Sequence, residues 1–376
     1  LYSFKQFRED PSLDLFKALG QLSAKGGPAV PQHHQYLFQG GRDPVGRFKE
    51  NQGVGQRRDF LKAAVTGGAA AALPAPAEAR PNLDPPKNAL GMLYDATLCI
   101  GCKACMVACK DANGMPPETS EETPMWDTPA DISGKTLNII KVYRDGTAEV
   151  KDRETDGYSF VKRHCMHCVD PGCISVCPVT AMRKDPETGV VTHHPEACIG
   201  CRYCVWACPY NVPKWDFEDA FGRIQKCEFC NHRLADGLLP ACVEHCPTGA
   251  SLFGTREEML EEAHRRLSLE PGSTYAYPRN TLDDPNRHEA MVPHYIDRVY
   301  GEVQGGGTQV LVLAGVPFGK LDLPDLPERA FAATSETIQH TVYKGMIAPL
   351  ALLGGLMFVT HRNLEKSHRK DEEGKK

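Results

Sequence analysis

From residue 90 onward the apolar positions of this chain fall in short runs broken by glycine, proline and acidic residues. The runs at 90–94, 139–143, 158–161, 190–192 and 251–253 have the length and partial alternation of short β-strands. The clearest helix begins at "TREEMLEEAHRRL", with Thr255 as N-cap and Glu258 as its capping-box partner. Segment 111–156 is rich in Pro, Thr, Asp and Glu and reads as an insertion, with a hairpin through "LNIIKVYRDGTAEV" turning at Asp145 and Gly146. One run differs from all of these. Residues 341–360, "TVYKGMIAPLALLGGLMFVT", carry a single charge, Lys344, and as a helix match the about 30 Å hydrocarbon core of a membrane. Lys344 can snorkel to the interface, and Gly345, Gly354 and Gly355 allow close helix contact. An ordinary buried helix is the competing reading.

Composition changes this picture at one residue type. The chain of 376 residues is 41% apolar, with 29 Pro and 34 Gly, which suits one or two cores rich in turns. Its net charge of −5, with Lys and Arg spread along the chain, gives no reason to expect nucleic acid. Cysteine stands out at 16 residues, all between Cys99 and Cys246. They fall into four groups: Cys99, Cys102, Cys105 and Cys109; Cys165, Cys168, Cys173 and Cys177; Cys198, Cys201, Cys204 and Cys208; Cys227, Cys230, Cys242 and Cys246. Groups one and three share C-x2-C-x2-C-x3-C, the spacing of bacterial-ferredoxin 4Fe–4S ligation. Groups two and four open with C-x2-C and close with C-x3-C-P. Pro178, Pro209 and Pro247 follow three of the last cysteines, whereas Lys110 follows the first group.

The spacing has a physical reason. Three thiolates within seven residues wrap a loop around one cuboidal cluster, while the loop amides point at its sulfides. The fourth cysteine, on a following helical turn, faces away and in two-cluster ferredoxins binds the other cluster. Disulfides fit poorly, because the short loops they would close are strained. Zinc has no use for a third cysteine at the same spacing. Attached haem needs C-x-x-C-H, and "CEFCNH" puts His232 one position late.

Internal repetition extends the reading. Residues 99–109 align with 198–208, and "GCISVCPVTA" resembles "PACVEHCPTGA", so the order is A, B, A′, B′. That order predicts an α+β fold of duplicated bacterial-ferredoxin-like 4Fe–4S domains with insertions, plus one C-terminal transmembrane helix. Trp206 and Trp215 read as packing residues, and His164 and His167 as neighbours of the ligands or surface groups. No phosphate-cradling glycine loop, nucleophile motif, or nickel or molybdenum ligand set accompanies the cysteines. The chemistry expected is outer-sphere electron transfer, without a catalytic constellation of the chain's own.

The termini say where that chemistry happens. "GQRRDFLKAAVTGGAAAALPAPAEA" holds Arg57 and Arg58, then Phe60, Leu61 and Lys62, a weakly apolar stretch, and Ala77-x-Ala79. These are the parts of a twin-arginine export signal cleaved after Ala79, and residues 1–79 are expected to have no part in the mature fold. The tail "HRNLEKSHRKDEEGKK" has six Lys and Arg, which the positive-inside rule assigns to the cytoplasm. Both signals leave the cysteine region on the periplasmic side.

With "RRDFLK", "LGMLYDATLCIGCKAC", "CMHCVDPGC", "GCRYCVWACPYNVPKWD" and "GGGTQVLVLAGVP" in view, the chain resembles the iron–sulfur subunits of hydrogenase-2-type membrane-bound NiFe hydrogenases. These lie within a wider family serving formate dehydrogenases and dimethyl sulfoxide, nitrate and polysulfide reductases. The resemblance implies four 4Fe–4S clusters, with groups one and four sharing two of them and groups two and three the others. It puts Cys99, Cys102, Cys105 and Cys246 on the first cluster, and Cys109, Cys227, Cys230 and Cys242 on the second. Cys165, Cys168, Cys173 and Cys208 hold the third; Cys177, Cys198, Cys201 and Cys204 hold the fourth. Nitrate reductase relatives have Trp at the position of Cys168 and a three-iron cluster, so cysteine here predicts a cubane. The implied role is an electron wire from the hydrogenase small and large subunits to a polytopic, quinone-reactive membrane subunit. A molybdenum enzyme of the formate, sulfoxide or polysulfide type is the alternative at the wire's end, and an assembly or tethering protein with structural clusters is a further one. The expected division is a leader (1–79), a tandem ferredoxin-like domain (80–275), an extension and linker (276–340), the span (341–360) and a charged tail (361–376).

Overall fold

In the computed structural model the described residues are 79–217 and 222–373. The twin-arginine segment, with the rest of 1–78, lies outside them. Strand β1 (Leu90–Asp95) leads to helix α1 (Ala104–Ala112), followed by β2 (Ile139–Arg144), β3 (Val150–Lys151) and β4 (Gly157–Arg163). Helix α2 (Gly172–Ser175), strands β5 (Met182–Lys184) and β6 (Val191–His193) and helix α3 (Tyr203–Ala207) come next. Strands β7 (Lys214–Trp215) and β8 (Ile224–Gln225) precede helices α4 (Asn231–Ala235) and α5 (Ala241–Glu244). Strand β9 (Ser251–Thr255), helix α6 (Arg256–Ser268) and strands β10 (Thr274–Pro278), β11 (Arg287–Met291) and β12 (Val310–Leu313) lead to helix α7 (Phe331–Glu373).

β1 is the middle of a three-stranded sheet, parallel to β12 and antiparallel to β9, with Met92 opposite both Val310 and Phe253. Its side chains alternate between two apolar compartments. Leu93, Leu252, Leu311 and Leu313 pack against Met259 and Ala263 of α6. Met92, Tyr94, Phe253, Val310 and Val312 face the other way, into the cluster that also holds Cys99, Cys105 and Cys242. The sheet therefore backs the cysteine loops, with α6 behind it. A strand buried on both faces reads as an unbroken apolar run, as "VLVL" of β12 does. Residues 276–340 thus carry a strand of the central sheet, and β10, which crosses the 275/276 boundary, pairs antiparallel with β11 inside them.

Each sequence-read strand occurs, but one pairing differs from expectation. β2 pairs antiparallel with β4, not with the residues just past Gly146, and β3 pairs with β4 in parallel. Asp145 and Gly146 do turn the chain, with Ala148 N–H donating to Asp145 O at 3.0 Å. The charged stretch after that turn has too few apolar residues to hold a hairpin partner, whereas β4 buries Val161 against the core. The insertion is also less solvated than its composition suggests, since Ile132, Leu137, Ile139 and Ile140 are buried. α7 runs well past 341–360 at both ends. By length and composition its 331–366 stretch is the one described helix apolar enough to cross a membrane; Ala332 and Ala333 at its start are buried, and its apolar 18-residue window is not.

Candidate iron–sulfur sites

The ligand loops owe their shape to left-handed residues at matching places. Gly101 (φ +70°) and Lys103 (φ 60°, ψ 10°) lead into α1, while Gly200 (φ +71°) and Arg202 (φ 61°, ψ 14°) lead into α3. Such turns gather successive N–H groups on one concave side. Cys105 and Cys109 then lie one turn apart on α1, while Cys204 lies on α3 and Cys208 caps its end. In the other pattern Pro171 and Pro240 precede the single-turn helices α2 and α5, which bear Cys173 and Cys242. His167 (φ 46°) and Phe229 (φ 53°) occupy the same place in "CMHC" and "CEFC", and their rings stack with centroids 3.8 Å apart. Helix α1 packs on α5, and α2 packs on α3.

This packing brings together cysteines far apart in sequence. Cys99, Cys102, Cys105 and Cys246 line one cavity with Tyr94 and Ile140. Cys177, Cys198, Cys201 and Cys204 line another with Met182 and Ile224. Between them, Cys168 has the thiols of Cys208, Cys165 and Cys173 around it, and Cys227 has Cys242, Cys109 and Cys230 in its neighbourhood. All sixteen cysteines are free of disulfides. Among the described residues no three His, Cys, Asp or Glu side chains converge tightly enough for a single metal ion. Thiols spread around the wall of a cavity match a cuboidal cluster, whose four irons each take one soft sulfur ligand.

Burial opposes ionisation of these thiols. It pushes Cys109 up to about 12 and Cys204 and Cys208 up to about 11, and raises Cys99, Cys105 and Cys173 as well. Thiolates there need a cation in the cavity, which the irons of a bound cluster would supply. Two sulfurs also accept hydrogen bonds, Cys109 from Asn113 Nδ2 at 3.6 Å and Cys177 from Ala181 N–H at 3.2 Å. Donors of this kind tune cluster potentials.

Neighbouring residues only partly follow the sequence reading. His164 and His167 are both buried, so neither is a surface group. Burial first, then a nearby Lys162, lowers His164 to about 3, and His167 is likewise held neutral. Trp215 packs against Gly200 and under the Arg202 guanidinium, but Trp206 is 84% exposed and packs on little of its own chain. Lysines are what the sequence reading missed. Lys184 donates to the Cys168 carbonyl at 3.2 Å, and Lys226 donates to that of Cys227 at 3.0 Å. Lys162 is buried in the sheet beside the first cavity. No spacing rule marks them; only the fold brings them to the sulfurs.

Residues 157–256 match the family described as the 4Fe-4S dicluster domain. The "Hydrogenase-2 operon protein HybA" of Escherichia coli O157:H7 is 51% identical over 318 residues, 83% of this chain and 97% of that protein. The "Formate dehydrogenase-O iron-sulfur subunit" of Escherichia coli (strain K12) is 33% identical over 303 residues, 80% of this chain and 87% of that one. The nitrate-inducible formate dehydrogenase iron-sulfur subunit of the same strain is 33% identical over 268 residues. With cysteine-lined cavities and an identity that runs almost the full length of the relative, the chain belongs to the HybA family of iron–sulfur proteins.

Proposed function

We propose that this chain conducts electrons from a periplasmic NiFe hydrogenase to a quinone-reactive membrane subunit through four 4Fe–4S clusters held by the four cysteine quartets. The observation that carries the reading is the succession of thiols. Cys105 of the first quartet neighbours Cys242 of the second, Cys227 of the second neighbours Cys165 of the third, and Cys173 of the third neighbours Cys204 of the fourth. The quartets form a line, and the exposed cysteines, Cys102 and Cys201, belong to its two ends. Each quartet fixes one cluster, and the clusters supply reversible one-electron storage. The protein's part is to hold them in order, exclude water, and set their potentials by buried cations and N–H donors. The matching loop conformations support a duplicated ferredoxin as the origin of this order.

The hydrogenase partner rests on the identity to HybA, which exceeds that to the formate dehydrogenase subunits. The twin-arginine segment and the basic tail support a periplasmic cluster domain with a cytoplasmic C-terminus. The test is metal content of the complex purified through this chain from native membranes in mild detergent. Nickel, no molybdenum and about sixteen irons from this subunit are expected. Molybdenum without nickel would keep the wire and reassign the enzyme at its end.

A further inference from the structure

We infer that Lys162 is the buried counter-charge shared by the first and second cluster sites and that it raises both reduction potentials. The inference rests on the four-cluster reading above. Lys162 lies on β4 in register with Ile140 of β2, and only 4% of its surface is exposed. Its Nζ has Ser251 Oγ of β9 at 3.2 Å and Met92 Sδ of β1 at 3.7 Å, and among the described residues no carboxylate pairs with it. An ammonium buried among neutral partners is strongly unfavourable, so a native fold keeps one only where an anion compensates. The groups that face it are sulfurs: Cys242 of α5, Cys105 of α1 and Cys246 just beyond α5. Cys105 and Cys246 line the first cavity, and Cys242 belongs to the second quartet. The cation therefore stands in the seam between two sites.

A fixed positive charge at low dielectric favours the more negative, reduced form of whatever lies beside it. Placed between two sites it raises both together, so the hop between them stays nearly level. That hop moves one electron, lost by the donor site and gained by the acceptor. No bond forms or breaks, and Lys162 keeps its proton. The third and fourth sites lie beyond Cys227 and Cys165. Lys184 donates to the Cys168 carbonyl of the third, and Lys226, on the Cys227 carbonyl of the second, stands on its side toward the third, near Cys173.

The test uses the full-length chain in its detergent-solubilised membrane complex, with iron counted and clusters titrated by electron paramagnetic resonance. In Lys162→Met, iron stays at the wild-type level and two of the four midpoint potentials fall. A tenfold change in their oxidised-to-reduced ratio at fixed ambient potential is expected, 59 mV for a one-electron couple, while the other two stay in place. Lys162→Arg, which keeps the charge, retains wild-type potentials. Four unchanged potentials in a fully loaded Met variant overturn the inference. Should the Met variant load less iron, the Arg variant decides: full iron and wild-type potentials support the charge role, whereas a shifted pair or failure to load overturns it. Wild-type iron far below about sixteen per copy is a separate result and defeats the four-cluster reading itself.

Discussion

At Gly101 the backbone stands at φ +70°, and a Cβ there would lie 2.4 Å from the Phe160 ring. Conformation and space both demand glycine, since an L side chain is strained at that φ and the aromatic ring closes the remaining volume. Gly101→Ala is therefore expected to destabilise by about 1–3 kcal/mol and to empty the first site before the others. Iron per chain should fall by about a quarter, and visible absorbance should bleach faster on heating; full iron with unchanged bleaching contradicts this. The cysteines were legible because their loop is a local object, with three thiolates within seven residues; the demand for glycine at 101 was not, since the Phe160 ring that closes on it comes from β4. Lys162 was not. Alternation along β4 buries Ser159 and Val161 and would send Lys162 to solvent, yet Lys162 is buried too. Its surroundings come from β1, β9, α1 and α5, none of which the local pattern connects to it.

Among the elements, α6 shows how local signals and tertiary contacts divide the work. Its capping box forms as read, with Thr255 N–H donating to Glu258 Oε2 at 2.9 Å and Glu258 N–H donating back to Thr255 Oγ1 at 3.3 Å. Its buried face is unusual in carrying Glu262 and Arg266 beside Met259 and Ala263. Arg266 pairs with Asp95 of β1 at 2.8 Å and with Glu262 at 2.9 Å, and its guanidinium lies 4.9 Å from the Tyr277 ring centroid. Asp95 also accepts from Tyr295 Oη at 2.8 Å. Removing the cation leaves buried Asp95 with hydroxyl and N–H donors but no counter-charge, and Glu262 with the exposed Arg265 as its counter-charge, so Arg266→Met should cost about 3–5 kcal/mol. The denaturant midpoint for cluster loss reports it, and an unshifted midpoint sinks the idea. Strands β1, β2, β4, β6 and β9 were legible from their short apolar runs, and α6 from its cap. The partners were not: β2 pairs with β4 across the Asp145–Gly146 turn, and β12 reaches β1 from the far end of the chain. Pairing of that kind depends on which buried face each run completes, which a local pattern does not carry.

For the whole molecule, α7 joins the cluster domain to a long apolar surface. Leu352, Leu353, Leu356, Met357, Phe358 and Val359 are each more than half exposed, a patch that water would not tolerate and a bilayer would. The base of α7 is tied down near the third site. Arg80 donates to both oxygens of Asp170 at 2.6 and 2.9 Å and to Glu336 Oε2 at 2.7 Å, while its backbone N–H reaches Thr337 Oγ1 at 2.9 Å. Asp170 follows Cys168 by two residues, and Glu336 sits in the early turns of α7, so the clamp links a cysteine loop to α7. All these ties lie before residue 341. Deleting 341–376 should thus leave the sheet, the four quartets and the Arg80 clamp intact while removing the apolar surface. The expected product is a water-soluble protein with wild-type iron per chain and an unchanged cluster spectrum. Membranes from that strain should lose hydrogen-dependent quinone reduction, while hydrogen oxidation with a soluble artificial acceptor persists. Undiminished quinone reduction argues against the anchor role, and loss of iron from the truncated chain means that α7 supports the sites themselves.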